Sequence, residues 1–217
     1  MKDYQLIIFD WDGTLMDSAG KIVSCMQQAA AQCDVPIPDA HAVGNIIGIS
    51  LRPAIQILFN TRDDKLTDAL LTAYKDAYLE KDVTPCPLFT GTMDMLNTLS
   101  AHNKTLAVAT GKARRGLDRA WKNTQTGHFF VTSRTACEAD SKPSPDMLRQ
   151  ILSETGFSAH DALMVGDTVY DMQMAQEIGM DRLAVSYGVH ESDRLAAHEP
   201  VAIVDSIYHM QTFLLGQ

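Results

Sequence analysis

Gln5-Leu6-Ile7-Ile8-Phe9-Asp10-Trp11-Asp12-Gly13-Thr14-Leu15 decides how the rest of the chain is read. Its first half is apolar without alternation, the pattern of a strand buried on both faces, and such strands belong to parallel sheets covered by helices on either side. The run then breaks into two acids and a glycine, so a buried strand hands over to a polar turn. The same junction recurs downstream. Thr105-Leu106-Ala107-Val108-Ala109 ends at Thr110-Gly111, and Ala162 to Val165 ends at Gly166-Asp167. Further strands are expected at Phe129-Phe130-Val131-Thr132, Leu183 to Ser186 and Val201 to Val204. Helices are expected from Thr92 to Ala101, Lys112 to about Asn123, past Pro145 to about Glu154, and from Gly166-Asp167 to about Ile178, with one more at the carboxyl end. Strands alternating with helices of this length imply an α/β class fold with a parallel sheet.

The segment behind the first strand reads differently. Asp17 and Ser18 are suitable helix caps, and Ile22, Met26, Ala29 and Cys33 then recur at helical spacing. Leu66, Leu70, Ala73, Ala77 and Tyr78 mark a second amphipathic helix from about Asp63 to Lys81. Nothing between Asp17 and Lys81 has the pattern of a strand, and Thr84-Pro85-Cys86-Pro87 reads as a linker. The expected organisation is an α/β core of residues 1–15 and 85–217, interrupted by an all-helical insert over residues 16–84.

Composition narrows the function classes. In 217 residues, 18 Lys and Arg stand against 27 Asp and Glu, a formal charge of −9. That balance disfavours nucleic acid and anionic membranes as partners. No run is apolar over the roughly 20 residues a membrane span needs, and no secretory signal is read at the start. The four cysteines, Cys25, Cys33, Cys86 and Cys137, show no paired spacing, so a reduced, cytoplasmic setting is expected. Neither a zinc-type Cys/His pattern nor a Walker or dinucleotide glycine loop occurs.

Chemistry concentrates at the three strand ends, because ligands of open parallel sheets bind beyond the carboxyl ends of their strands. Asp10 and Asp12, Thr110, and Asp167 with Asp171 meet there if the strands are neighbours, and Lys142 lies in a loop of the same kind. Convergent carboxylates must take up protons or hold a cation, and Mg2+ suits an oxygen-only set that keeps room for a phosphate. One residue separates Asp10 from Asp12, which in an extended strand puts both on one face. One of the two is suited to attack while the other handles a proton. Thr110, Gly111 and an ammonium from Lys142 make an anion site at a helix start, and the anion that fits beside magnesium and a carboxylate is a phosphoryl group.

Asp10-Trp11-Asp12-Gly13-Thr14-Leu15, Thr110, Lys142-Pro143 and Gly166-Asp167-Thr168-Val169-Tyr170-Asp171 resemble, in order, the four motifs of the haloacid dehalogenase-like hydrolase superfamily. The helical insert after the first motif is similar to the small cap of its phosphoglycolate-phosphatase-like branch. The resemblance implies a Rossmann-like core and magnesium-dependent hydrolysis of a small phosphorylated metabolite through an aspartyl-phosphate. It makes Asp10 the nucleophile and Asp12 the acid and base, with the Asp12 backbone carbonyl, Asp10, Asp167 and Asp171 around the metal. Thr110 and Lys142 would hold the phosphoryl oxygens. A phosphomutase of the β-phosphoglucomutase type shares this machinery, and a receiver-like phospho-aspartate switch is the alternative of another class.

Two further residues are candidate substrate contacts. Lys112 opens a basic helix stripe with Arg115, Arg119 and Lys122, and stands beside Thr110-Gly111 as a second phosphate contact. Arg52 closes the stretch Gly44-Asn45-Ile46-Ile47-Gly48-Ile49-Ser50-Leu51-Arg52, the expected contact loop of the insert, where it is suited to grip a second anionic group. Both also read as solvated surface charges.

Overall fold

A computed structural model describes residues 2–216. Its centre is a six-stranded parallel sheet in the order β3-β2-β1-β4-β5-β6. The strands are β1 (Leu6–Phe9), β2 (Thr105–Thr110), β3 (Phe130–Thr135), β4 (Ala162–Gly166), β5 (Asp181–Val185) and β6 (Ala202–Val204). Because β1 pairs with both β2 and β4, the three polar strand ends read from the sequence are neighbours.

Side chains alternate across the sheet, and each face has its own apolar cluster. Ile7, Phe9, Val108 and Val165 face one way, onto α5 (Thr92–Ala101), α6 (Arg114–Thr124) and α10 (Ile207–Leu214). Leu6, Ile8, Ala107, Ala109 and Met164 face the other, onto α7 (Asp146–Thr155) and the end of α8 (Val169–Gln176). All four residues of β1 are fully buried, which is why its sequence shows no alternation of apolar with polar residues.

Between β1 and β2 the chain forms α1 (Ala19–Gln32), α2 (Ala40–Gly44), α3 (Leu51–Leu58) and α4 (Asp64–Asp76), the last continued by a π-turn over Ala77–Lys81. These helices enclose a separate cluster of Ile22, Met26, Val43, Ile55, Leu70 and Ala73. Asp63 caps α4 by accepting from the backbone N–H groups of Lys65 and Leu66, as its position at the start of the amphipathic pattern requires. The stretch Val35-Pro36-Ile37-Pro38-Asp39 reads from the sequence as a helix break that caps a following helix, and Asp39 does cap α2 by accepting from the Ala42 N–H, whereas α3 and α9 (Ser192–Ala196) carried no pattern long enough to read. The helical segment also touches the core. Tyr170 donates to the Asn45 carbonyl at 2.8 Å, and the Ser50 N–H donates to Ser141 Oγ at 2.9 Å.

Among the described residues no helix is long and apolar enough to cross a membrane, and all four cysteines are free thiols.

Candidate active site

Strand β1 stops at Phe9, and the backbone turns at once. The N–H of Asp10 still bonds the Val165 carbonyl at 2.8 Å, but the Trp11 carbonyl then accepts from the N–H groups of Leu15 and Met16, both at 3.0 Å. The chain thus leaves its extended path after Trp11, and Asp12 stays close enough to Asp10 to act on its charge while making its own hydrogen bonds elsewhere. Gly13 makes this turn possible: its φ is +85°, and a Cβ there would come within 2.2 Å of the Asp167 carboxylate.

Asp10, Asp167 and Asp171 come together. One carboxylate oxygen from each lies within 4.8 Å of the others, and all three residues are buried. At that spacing each charged pair repels by about 3 kcal/mol for an effective dielectric near 20. Lys142 is the cation among them. Its Nζ lies 2.6 Å from Asp171 Oδ1 and 2.9 Å from Asp10 Oδ1, with its side chain fully covered. Burial pulls the Lys142 ammonium towards deprotonation, but Asp10 and Asp171 outweigh it and its pKa is raised.

One ammonium does not balance three carboxylates. Burial, reinforced by Asp171 and Asp12 and opposed by Lys142, pushes the Asp10 carboxyl up to about 7. Burial and the charges of Asp10 and Asp171 push Asp167 well above the usual carboxylate range, against the bonds it accepts from the Val189 N–H and the Thr14 hydroxyl, both at 2.9 Å. Asp171 is also a helix-capping residue. It accepts from the Thr168 N–H and hydroxyl at the start of α8, while Thr168 caps the Asp171 N–H in return. Neither oxygen of Asp10 has an aligned hydrogen-bond donor, since the contact with Lys142 is close but off-axis. Buried, oxygen-only, over-charged and short of donors, this set fits a hard divalent cation.

Asp12 stands outside the triad as far as its side chain is concerned. Lys112 Nζ donates to both of its oxygens at 2.9 Å, and Ser18 Oγ donates to Oδ1 at 2.7 Å. Lys112, expected as a second phosphate contact, is paired with Asp12, with which it shares burial. Ser18, expected to cap α1, makes no side-chain cap bond and serves Asp12 instead. Thr110 is buried at the end of β2, and its hydroxyl accepts from the Lys112 N–H at 3.1 Å.

Gly111 follows at the point where the helical segment presses on the core. A Cβ there would meet the carbonyl oxygens of Gly48 and Ile49 at 2.5 and 2.8 Å, so the stretch singled out as a contact loop does face the site. Arg52 does not. Its guanidinium is held by Asp64 and Asp68 of α4, an exposed arrangement within the helical segment, where those acids follow it by 12 and 16 residues.

From the sequence, Ser18 and Tyr78 carry only helix roles and His190, just past a strand end, is expected at the surface; the structure buries it instead. His190 is buried, its Nδ1 accepts from the Val169 N–H at 3.0 Å, and burial with the nearby Arg194 lowers its pKa to about 4. Val169 opens α8, so this neutral ring completes the start of the helix that carries Asp171. Tyr78 has no local signal, because its polar partner lies 34 residues on.

Comparison with known proteins places this geometry in context. Residues 7–185 match the model of the haloacid dehalogenase-like hydrolases. The chain is 35% identical over 210 residues to the probable phosphatase IndB of Dickeya dadantii, spanning 93% of this chain and 89% of that protein. It is 27% identical to the phosphoglycolate phosphatase of Aliivibrio fischeri, over 98% and 97% of the two chains. A crystal structure described as a "predicted phosphoglycolate phosphatase" from Haemophilus somnus superposes with a TM-score of 0.89 at 21% identity and covers the whole of both chains.

Proposed function

Because the chain belongs to the haloacid dehalogenase-like hydrolases, we propose that its phosphatase activity runs through a phosphoryl ester on Asp10, with Asp12 managing the protons. The enzyme is a phosphoric monoester hydrolase, and its substrate class is a small phosphorylated metabolite.

Attack by an Asp10 oxygen on phosphorus breaks the bond to the leaving oxygen, and Asp12 gives that oxygen its proton. In the second half, Asp12 takes a proton from water as the water attacks phosphorus, and the Asp10 carboxylate leaves with free phosphate released. Lys142 and Thr110 neutralise and orient the phosphoryl oxygens. Asp10, Asp167 and Asp171 would hold Mg2+, with Asp12 contributing only its backbone carbonyl. When bound, the ion supplies the positive charge that lets a carboxylate approach a phosphate. Residues 16–84 act as a cap, and the carbonyls of Gly48 and Ile49 over Gly111 exclude water from the reacting atoms.

The observation that carries this reading is the state of Asp10. It is buried, has no aligned donor on either oxygen, and is flanked by an ammonium at 2.9 Å and two further carboxylates. A structural aspartate so placed costs stability and returns none. Rapid acid quench with a 32P-labelled phosphomonoester, followed by peptide mapping, tests it. A labelled acyl phosphate on Asp10 is expected, and label on another residue overturns the assignment. A panel of phosphorylated metabolites, scored by phosphate release, then identifies the substrate.

A further inference from the structure

Lys112 belongs to the basic stripe of α6 by sequence, yet it alone of that stripe turns towards the site. Its side chain is 10% exposed and that of Asp12 is 11% exposed, so the pair is largely withdrawn from solvent. Its stem lies over Gly116, where a Cβ would come within 2.9 Å of the lysine Cγ, and its Nζ meets both Asp12 oxygens at equal distance. The same Nζ donates to Tyr78 Oη at 3.4 Å and lies 5.2 Å from the centre of that ring.

Tyr78 sits on the π-turn that ends the helical segment, and a second ammonium, Lys21 of α1, lies 5.2 Å from its ring. Lys21 donates to the Asp82 carbonyl at 2.8 Å, and the Asp82 carboxylate accepts from Gln28 and the Thr84 N–H. A continuous set of contacts therefore runs from the segment after the π-turn, at Asp82 and Thr84, through Tyr78 to the proposed acid–base group.

We propose that Lys112 is a positioning residue for Asp12, and that Tyr78 makes its grip depend on how the helical segment is seated. The inference deepens the reading of Asp12 given above and rests on it. Two bonds from one ammonium and one from Ser18 fix the carboxylate plane. They hold it in one orientation for its proton transfers. Lys112 keeps its own protons throughout. Its removal slows hydrolysis of the Asp10 ester more than its formation.

The test uses p-nitrophenyl phosphate, whose leaving group needs no proton, so that a defect in Asp12 falls on the second half-reaction. Lys112→Met is expected to lower kcat about 10- to 100-fold, part of what a general base contributes, and to lower KM with it, leaving kcat/KM within about 3-fold of wild type. The fraction of enzyme trapped as phosphoryl ester should rise, and Lys112→Arg should recover part of kcat. Tyr78→Phe should shift the same quantities in the same direction by a few fold. A raised KM at unchanged kcat would make Lys112 a substrate contact and overturn the proposal. Loss of kcat with no rise in the trapped fraction, or with a matching loss of folded protein by circular dichroism, would overturn it equally. The division between kcat and KM is read from phosphate release alone, so it judges Lys112 whichever residue the label marks. Label missing from Asp10 in the wild type counts against the nucleophile instead.

Discussion

Asp10 and Asp12 stand one residue apart and occupy opposite kinds of environment. Asp10 lies in a buried group of three carboxylates with one lysine, two of its neighbours repelling it and no donor aligned on its oxygens. Asp12 accepts three aligned hydrogen bonds, two from one lysine and one from a serine. The first environment is incomplete without added positive charge. The second is complete as it stands. That difference matches the proposed division of labour: a nucleophile needs an exposed lone pair and an external counter-charge, whereas an acid–base group needs a fixed orientation.

The largest effect that would break this contrast is the loss of the nucleophile. Asp10→Asn should reduce phosphate release by about 1000-fold or more while the fold survives, since the amide cannot form the ester. Turnover within about 10-fold of wild type would remove Asp10 from the chemistry. Removal of the ion comes next. Dialysis against EDTA should abolish turnover and MgCl2 restore it, measured by phosphate release, because the triad has no other source of the missing charge.

Lys142→Met tests the charge balance from the protein side. It leaves three buried carboxylates without their ammonium and should cost about 3–5 kcal/mol of stability in EDTA, read from urea unfolding. Magnesium should recover much of that loss. If the variant is as stable as wild type without metal, the carboxylates are not jointly charged and the account of the triad fails.

The pH dependence has a definite sign. Asp10 titrates near 7 in the folded protein and near 3.8 when unfolded, so between those values the native state binds more protons than the unfolded one. Stability in EDTA should therefore fall as pH rises from about 4 to about 7, with Asp167 acting in the same direction. Saturating magnesium should flatten or reverse that slope. Urea midpoints at pH 5 and pH 7.5, with and without metal, decide it.

The sequence made these two environments unequally legible. The triad was readable because each member ends a buried strand or opens the following helix. Such positions converge in any parallel sheet whose strands β1, β2 and β4 are adjacent. Helix boundaries such as Thr92–Ala101 were readable for the same local reason, a 3.6-residue period between clear breaks. The surroundings of Asp12 were not readable, because every donor that fixes it depends on a turn or on distant packing. Ser18 reaches it only because the chain folds back at Trp11, Lys112 lies 100 residues away, and Tyr78 comes from a π-turn without a sequence signature. Spacing alone suggested that Asp10 and Asp12 share a face. The strand itself ends at Phe9, three residues before Asp12.

Arg52 marks the lower limit of what a motif-adjacent charge signifies. It sits three residues after Ile49, whose carbonyl presses on Gly111, yet the start of α3 turns its guanidinium onto Asp64 and Asp68 of the next helix. Side chains this exposed hold one another by about 1 kcal/mol or less. Arg52→Ala should therefore leave kcat and KM within about 2-fold of wild type and shift stability by no more than that amount. A KM rise of 10-fold or more on the physiological substrate would show that Arg52 leaves Asp64 and Asp68 when substrate enters. The helical segment would then read the substrate by charge as well as by closure, and the contrast between a reactive core and a covering cap would no longer hold.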